Sequence, residues 1–232
     1  MLEVIAMCGR FTIVFDAETL LNRFDIEDIP FDWREIYNVA PGQKIPAIIE
    51  NKEERRIGQL KWGLVPFWSK DEKIGYKMIN AKSETIQEKP AFRNLFTRKR
   101  CIIPADGFYE WKKVGKDKQP MRIMMKTGEP FAFAGLYDTW TSPEGEKLHS
   151  CTIITTKPNE VVADIHDRMP VILKKQDEQL WLDREKFDAD LLQSLLVPYD
   201  HDQMRAYPVA TIVGNPKNDQ PECIQEIADP SL

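Results

Sequence analysis

Short runs of alternating or continuous apolar residues, separated by Gly, Pro or Asn, most restrict what this chain can fold into. Each run has the length and residue types of a strand. No regular alternation of strands with helices and no repeat is present, so a mainly antiparallel α+β fold is favoured over a parallel α/β fold. The predicted strands are Ile45–Glu50, Arg56–Leu64, Arg100–Ile103, Phe108–Lys112, Met121–Met125, Phe131–Tyr137 and Ser150–Thr155.

A few short helices are predicted beside the strands. Asp16 is a suitable N-cap for a first helix, because apolar residues follow it at helical spacing. These residues are Ala17, Leu20, Leu21 and Phe24. A second helix is expected to start near Ala81. Later helices are predicted at Asn159–Ile165, Lys175–Leu182 and Ala189–Leu196.

Length and hydropathy indicate one soluble domain. A chain of 232 residues can bury a sizeable core, and it contains no Gly/Ser-rich or Pro-rich linker. No apolar run approaches the about 20 residues needed to cross a bilayer. The leader Met1–Ala6 lacks the basic start of a signal peptide. We therefore expect a cytoplasmic monomer with no membrane partner.

The cysteines and histidines show no spacing typical of a metal site. Low cysteine density favours reduced thiols. We expect no metal and no cofactor, and we expect every cysteine after Cys8 to lie in the core. The four cysteines are Cys8, Cys101, Cys151 and Cys223, and the three histidines are His149, His166 and His201.

Cys8 has a distinctive chemistry if the residues before it are removed. It would then carry a free α-amine beside its thiol, with ordinary pKa values near about 8 and about 8.5. The amine of such a 1,2-aminothiol forms an imine with an aldehyde, and the sulfur then closes a thiazolidine ring. The alternative is that Cys8 is a small buried hydrophobe.

Charge is distributed unevenly along the chain. The segment from Lys61 to Arg100 contains ten Lys or Arg and four Asp or Glu, giving +6, whereas the whole chain carries −5. Such asymmetry suggests a basic groove, and the alternative is a solvated face of mixed charge. Aromatic residues in the segment favour single-stranded nucleic acid, which stacks on them. Trp62 is expected to pack inward from a strand, and Trp68 to lie in an exposed loop.

Several segments together resemble one family, in that family's order and from Cys8 to about Asn218. The segments are Met7–Phe11, Tyr37–Gly42, Trp62–Trp68, Ile79–Thr85, Ala105–Trp111, Asp164–Pro170 and Val213–Asn215. The chain resembles the SRAP (SOS response-associated peptidase) family. This resemblance implies a single compact domain over residues 8–232, with curled, barrel-like sheets flanked by short helices and a groove leading to the cysteine.

The resemblance also implies catalytic roles for Cys8, Asn80, Glu110 and His166. Glu110 lies on an aromatic-flanked strand, where burial would raise its pKa and fit it for proton transfer. His166 titrates near neutral pH, and Asn80 would orient the cysteine amine. The alternatives are a surface glutamate, a helix-ending histidine and a helix-capping asparagine.

The DNA-binding candidates combine stacking and cationic side chains. They are Arg10, Pro41, Phe67, Trp68, Lys82 and Arg168. Lys82 keeps the positive charge that the family carries at this position, but it lacks the bidentate geometry of an arginine.

The function that the resemblance implies is a response to DNA damage. Such a protein would capture abasic sites in single-stranded DNA, or at junctions with double-stranded DNA, through a thiazolidine on its N-terminal cysteine. It would be nucleoid-associated when bound to DNA. The same residues would support peptidase self-processing and a lyase-type activity. The alternatives are a thiol hydrolase using Cys8, His166 and Glu110, and a noncovalent reader of modified or single-stranded DNA.

The leader is the main departure from the family pattern, in which the cysteine directly follows the initiator methionine. We predict that residues 1–7 are either removed or not translated, with Met7 as the alternative start. If Cys8 kept an amide nitrogen, a thiazolidine could not form.

Overall fold

A computed structural model of the protein describes residues 8–51, 54–185 and 187–228. In chain order its strands are β1 (Phe11–Ile13), β2 (Ile36–Val39), β3 (Lys44–Asn51), β4 (Glu54–Trp62), β5 (Asn80–Lys82), β6 (Arg100–Ala105), β7 (Gly107–Val114), β8 (Asp117–Met125), β9 (Phe131–Thr141), β10 (Lys147–Thr156), β11 (Met169–Pro170), β12 (Ile172–Leu173) and β13 (Met204–Pro208).

Short helices flank these strands. The α-helices are α1 (Ala17–Phe24), α2 (Arg93–Arg98), α3 (Glu160–Ala163), α4 (Glu178–Leu182) and α5 (Ala189–Ser194). Short 3-10 helices lie at Glu72–Lys77, Ser83–Thr85, Lys175–Asp177, His201–Gln203, Thr211–Gly214 and Pro221–Cys223. No helix among the described residues is long and apolar enough to cross a membrane.

Two sheets form one α+β domain. The larger sheet follows the order β11-β10-β4-β3-β6-β9-β12, and β10 also pairs with β9, so β10, β4, β3, β6 and β9 close a five-stranded barrel. The smaller sheet has the order β13-β8-β7-β1-β2. Pairing is antiparallel except where β10 meets β4 and β5. The predicted α+β class and its barrel-like, mainly antiparallel sheets are confirmed.

The core lies in the barrel and between the barrel and the smaller sheet. Phe11 on β1 packs edge-on against Trp62 and Phe133, with ring centroids 5.1 and 5.6 Å apart. Trp62 is buried and its indole N–H donates to the carbonyl of Ile79. The inward packing predicted for Trp62 is therefore confirmed, and β1 is anchored to the barrel directly after Cys8.

Most predicted elements are present, with ends shifted by a few residues. The side chain of Asp16 caps α1 by accepting from the backbone N–H of Thr19, as predicted. The helix predicted near Ala81 is wrong, because Asn80–Lys82 is a strand paired in parallel with β10. Its backbone groups bond to that neighbouring strand, which leaves only a 3-10 turn to follow.

Candidate active site

Cys8 lies beside Glu110 because β1 and β7 are adjacent antiparallel strands. The register pairs Phe11 with Phe108, and the backbone N–H of Tyr109 donates to the carbonyl of Arg10. The chain just before β1 therefore runs past the middle of β7. The Cys8 sulfur lies within 4.8 Å of a carboxylate oxygen of Glu110.

Glu110 is a buried carboxyl group without a cation bound to it in the described chain. Only 1% of the residue is exposed, and burial raises its pKa to about 8, although hydrogen bonds from Cys8 oppose that shift. The burial predicted for Glu110 is confirmed. The alternative of a surface glutamate beside inward-facing aromatic residues is wrong, because Glu110 is buried together with its neighbour Tyr109. Near neutral pH this carboxyl group is mainly protonated and able to donate a proton.

The Cys8 thiol is kept in its neutral form. Burial raises the pKa of Cys8 well above its usual value, and the charge of nearby Glu110 adds a smaller effect in the same direction. The Cys8 backbone has a φ of 34°, in the left-handed region that a residue with a Cβ rarely adopts. The residue is thus both desolvated and held in an unfavourable backbone conformation.

His166 completes the cluster from the turn after α3. Its Nε2 lies 3.9 Å from Glu110 Oε2. Its Nδ1 lies 3.1 Å from the backbone N of Arg168 and 3.2 Å from the Arg168 carbonyl oxygen. The Arg168 N–H can donate to Nδ1 when that nitrogen is unprotonated, and the Arg168 carbonyl can accept from Nδ1 when it is protonated. Each neutral tautomer of His166 therefore has a hydrogen-bond partner at Nδ1. The ring can therefore keep its orientation in either neutral tautomer.

Donor atoms of Cys8, Glu110 and His166 all lie within 4.8 Å of one another. Sequence spacing gave no sign of a metal site, because these residues come from three distant segments. The structure brings together a sulfur, an oxygen and a nitrogen ligand that no local motif would reveal.

Asn80 is on β5, which pairs in parallel with the barrel strand β10 and places Asn80 opposite Ile153. Its side-chain amide donates to the carbonyl of Ile153 at 3.4 Å, and its Oδ1 is buried without a hydrogen-bond partner in the described part of the chain. Because Asn80 lies in a strand, the helix-cap alternative is wrong. The unpaired oxygen is an acceptor suited to an amine or hydroxyl donor.

Two predicted phosphate contacts already hold protein partners. The Arg168 guanidinium forms a two-point ion pair with Glu84, at 2.6 and 2.9 Å, and donates to the carbonyl of Thr155. The hydrogen bond from Arg168 holds the pKa of Glu84 below its usual value. Arg10 donates to Asn38 Oδ1 and to the carbonyl of Val213. A phosphate role for either arginine stays a prediction.

The remaining binding candidates lie nearer to solvent. Phe67 and Trp68 are 63% and 50% exposed, and Lys82 is exposed at the end of β5. Pro41 is half-buried in the turn after β2, next to Gly42, and exposed Tyr76 lies beside that glycine. The exposed loop predicted for Trp68 is confirmed. A role for these residues in binding DNA stays a prediction.

Asp138 holds the loop of Phe67 and Trp68 in place, a role that no sequence pattern indicates. Its buried carboxylate accepts from the backbone N–H of Phe67 at 2.8 Å and pairs with Lys99 at 2.6 Å. An acidic residue within a strand, as Asp138 is between Tyr137 and Thr139, normally faces solvent. The sequence pattern therefore does not indicate that Asp138 is buried and binds a backbone N–H. Cys101, Cys151 and Cys223 are buried free thiols, as predicted.

Comparison with known proteins identifies the relatives of this chain. Abasic site processing protein YoqW of Bacillus subtilis (strain 168) is 54% identical over 222 residues, covering 94% of this chain and 99% of that protein. Abasic site processing protein YedK of Escherichia coli (strain K12) is 35% identical over 230 residues, covering 95% of this chain and 100% of that protein.

A crystal structure of a Bacteroides thetaiotaomicron protein has the same fold, with a TM-score of 0.84 and 30% identity. It covers 95% of this chain and 100% of that one. The family model of the SOS response associated peptidases matches residues 7–216. The chain therefore belongs to the SOS response associated peptidase (SRAP) family.

Proposed function

We propose that this protein, with Cys8 as its first residue, captures abasic sites in single-stranded DNA by forming a thiazolidine. The observation that carries the proposal is the contact of Cys8 with a buried carboxyl group, Glu110, whose pKa is raised to about 8. The names of the relatives supply the substrate, since several are called abasic site processing proteins.

The reaction needs proton transfers that the cluster can supply. The Cys8 amine adds to the aldehyde carbon of the opened sugar, and the resulting carbinolamine loses its hydroxyl group as water when Glu110 donates a proton. The thiol then adds to the imine carbon, its proton passes to the nitrogen, and the ring closes. One C–N bond and one C–S bond form, and one water leaves.

His166 and Asn80 have supporting roles in the proposal. Nε2 of His166, 3.9 Å from Glu110, can return the proton to that carboxyl group or stabilise charge on a sugar hydroxyl. The unpaired Oδ1 of Asn80 orients the Cys8 amine by accepting a hydrogen bond. The imine before ring closure is also the intermediate that a lyase-type activity would require.

Binding of DNA would use exposed aromatic and cationic side chains outside the cluster. Phe67 and Trp68 would stack with bases, or wedge into a junction between single- and double-stranded DNA, and Lys82 would contact a phosphate. Arg10 and Arg168 would contact phosphates only if each guanidinium bound a phosphate in addition to its present protein partner. We propose that the protein acts as a monomer.

Exposure of Cys8 is part of the proposal, and residues 1–7 lie outside the described residues. Either translation starts at Met7 and an aminopeptidase removes that methionine, or the chain cleaves itself before Cys8. The family name supports the second route. Loss of the preceding peptide bond would also release the unfavourable φ of Cys8.

A thiol hydrolase is less well supported. Hydrolysis by cysteine requires a thiolate, usually formed by an adjacent histidine. Here the nearest titrating neighbour of Cys8 is the Glu110 carboxyl group, and the pKa of the thiol is raised rather than lowered. A neutral thiol is compatible with addition to an imine, because the imine nitrogen takes up the proton.

Intact mass of the purified protein, before and after incubation with an abasic single-stranded oligonucleotide, tests the proposal. We expect a chain that begins at Cys8 and an adduct with the oligonucleotide formed with loss of one water. Acetylating the α-amine should abolish the adduct, whereas thiol hydrolysis would survive it. A chain that retains Met1 and still forms a stable adduct would contradict the mechanism.

Cys8→Ala provides a second test. It removes the sulfur, so covalent capture should be lost, while salt-sensitive binding to single strands should persist. Cys223→Ala is the matched control, since Cys223 is a buried free thiol outside the cluster. Crosslinking that is unchanged in Cys8→Ala would refute the assignment.

A further inference from the structure

The cluster around Cys8 has the donor set of a zinc site. Zinc binds thiolate, imidazole and carboxylate ligands, and bonds of about 2.0–2.3 Å place tetrahedral donors about 3.3–3.8 Å apart. His166 Nε2 and Glu110 Oε2 are already 3.9 Å apart, and all three donor atoms of the cluster fall within 4.8 Å. Small side-chain movements would bring them to bonding distance.

Two further observations point to a ligand here. Glu110 Oε1 is buried and has no hydrogen-bond partner among the described residues, although the residue is only 1% exposed. In the tautomer that carries its proton on Nδ1, His166 can donate a hydrogen bond from that nitrogen to the Arg168 carbonyl, 3.2 Å away. This leaves the Nε2 lone pair free, which is the outer-shell arrangement usual for zinc-bound histidines.

We propose that Cys8, Glu110 and His166 bind a zinc ion reversibly, and that zinc blocks the capture of aldehydes. The inhibitory part of this inference rests on the proposed capture function. In the mature chain the α-amine of Cys8 is the fourth ligand, because the nitrogen and sulfur of one 1,2-aminothiol close a five-membered chelate ring on a metal. Binding displaces the protons of the thiol and carboxyl groups and involves no electron transfer.

The expected effect is inhibition rather than catalysis. With sulfur, two nitrogens and a carboxylate oxygen bound, no coordination position stays open for water or substrate, as in structural zinc sites. The amine and thiol that capture requires are both occupied.

Cobalt substitution tests binding independently of DNA. Mature protein titrated with CoCl₂ should develop a thiolate-to-cobalt charge-transfer band and tetrahedral d–d bands at one equivalent, and ZnCl₂ should abolish them. Cys8→Ser and His166→Gln should each weaken metal binding by more than the about 10–100-fold expected for loss of an outer-shell partner. His149→Gln is the matched control, since His149 is exposed and outside the cluster.

Glu110→Gln is a second variant that preserves side-chain shape, and circular dichroism would report its folding. Its affinity for cobalt should also fall. Folded mature protein without a thiolate charge-transfer band would overturn the zinc site. Metal affinity that is unchanged in Cys8→Ser would overturn it as well.

Capture assays then separate the two proposals. With EDTA present, formation of the abasic-site adduct tests the capture function alone. One equivalent of ZnCl₂ should stop adduct formation, and excess EDTA should restore it. Full-rate capture by zinc-saturated protein would overturn the inhibition. Absence of capture in EDTA, with the cobalt spectrum intact, would overturn the capture function while supporting the metal site.

Discussion

Asp106 and Glu110 are buried carboxylic acids four residues apart, at and just after the turn from β6 into β7, yet their surroundings differ. Asp106 accepts from Arg122 at 2.5 Å and from the backbone N–H of Val14 at 2.9 Å. Glu110 meets a thiol and a histidine, with no cation bound in the described residues, and its pKa is raised to about 8.

The difference shows that the neighbouring strand, rather than burial alone, decides what a buried acid does. β8 provides Arg122, which balances the charge of Asp106, and that ion pair ties β1 to β7 and β8. The chain before β1 provides Cys8, which leaves Glu110 free to exchange a proton. Asp106 therefore acts as a structural acid, since its ion pair holds the strand register that positions Glu110, the proton-donating acid.

We expect the greatest change in capture rate from a substitution of Glu110, the proton-donating acid. Glu110→Gln should slow abasic-site capture by about 10²–10⁴-fold, the usual contribution of a general acid or base, because an amide cannot donate the required proton. Gel-shift kinetics of adduct formation would measure this. Glu88→Gln, on an exposed residue, is the control and should react at the wild-type rate. An unchanged rate in Glu110→Gln would remove the proposed contrast.

The structural acid should matter for stability instead. Arg122→Met leaves Asp106 buried and unpaired, which costs about 3–5 kcal/mol in the free energy of unfolding. Urea denaturation would measure the change. Arg56→Met removes an exposed, solvent-screened ion pair with Glu54 and should leave the free energy of unfolding nearly unchanged. Equal losses in both variants would show that Asp106 does not depend on its cation.

The pH dependence of stability should distinguish the two acids further. Glu110 has a folded pKa of about 8, above its unfolded value, so the folded state binds the extra proton. The free energy of unfolding should therefore fall by about 2 kcal/mol between pH 6 and pH 8, as that proton is lost. Urea midpoints across this range would measure it. Glu110→Gln should flatten the dependence, and a slope that persists would have another origin.

The smallest effect is expected away from both acids. Trp68→Ala should lower affinity for single-stranded DNA about tenfold, since one aromatic–base stack contributes about 1–3 kcal/mol. Fluorescence anisotropy at fixed salt would measure this. Phe187→Ala is the matched control, because Phe187 is 48% exposed on another segment. Equal losses in the two variants would mean that exposed aromatic area alone, and not the loop, sets the affinity.

Much of the fold could be predicted from local pattern. The long barrel strands β3, β4, β9 and β10 have apolar runs bounded by turn residues, and the structure confirms them. The local pattern predicts none of the short strands, and it wrongly predicts a helix where β5 lies. A three-residue strand is stabilised by its neighbour, here β10, and leaves no periodic signal of its own.

The candidate site was predictable in membership but not in arrangement. Family motifs named Cys8, Glu110 and His166, and the structure brings these three together. The ion pair of Arg168 with Glu84 had no sequence signature, because the two residues are far apart in the chain. The same holds for the anchoring of Phe67 by Asp138.

Local sequence pattern is enough to predict the strand-rich α+β class, the inward packing of Trp62 and the exposure of Trp68, because hydrophobic period and turn residues act locally. Tertiary structure alone decided that Glu110 faces Cys8 and His166 whereas Asp106 faces Arg122. Charge balance and desolvation depend on atoms a few ångströms away in space, and strand pairing brings those atoms from distant parts of the chain.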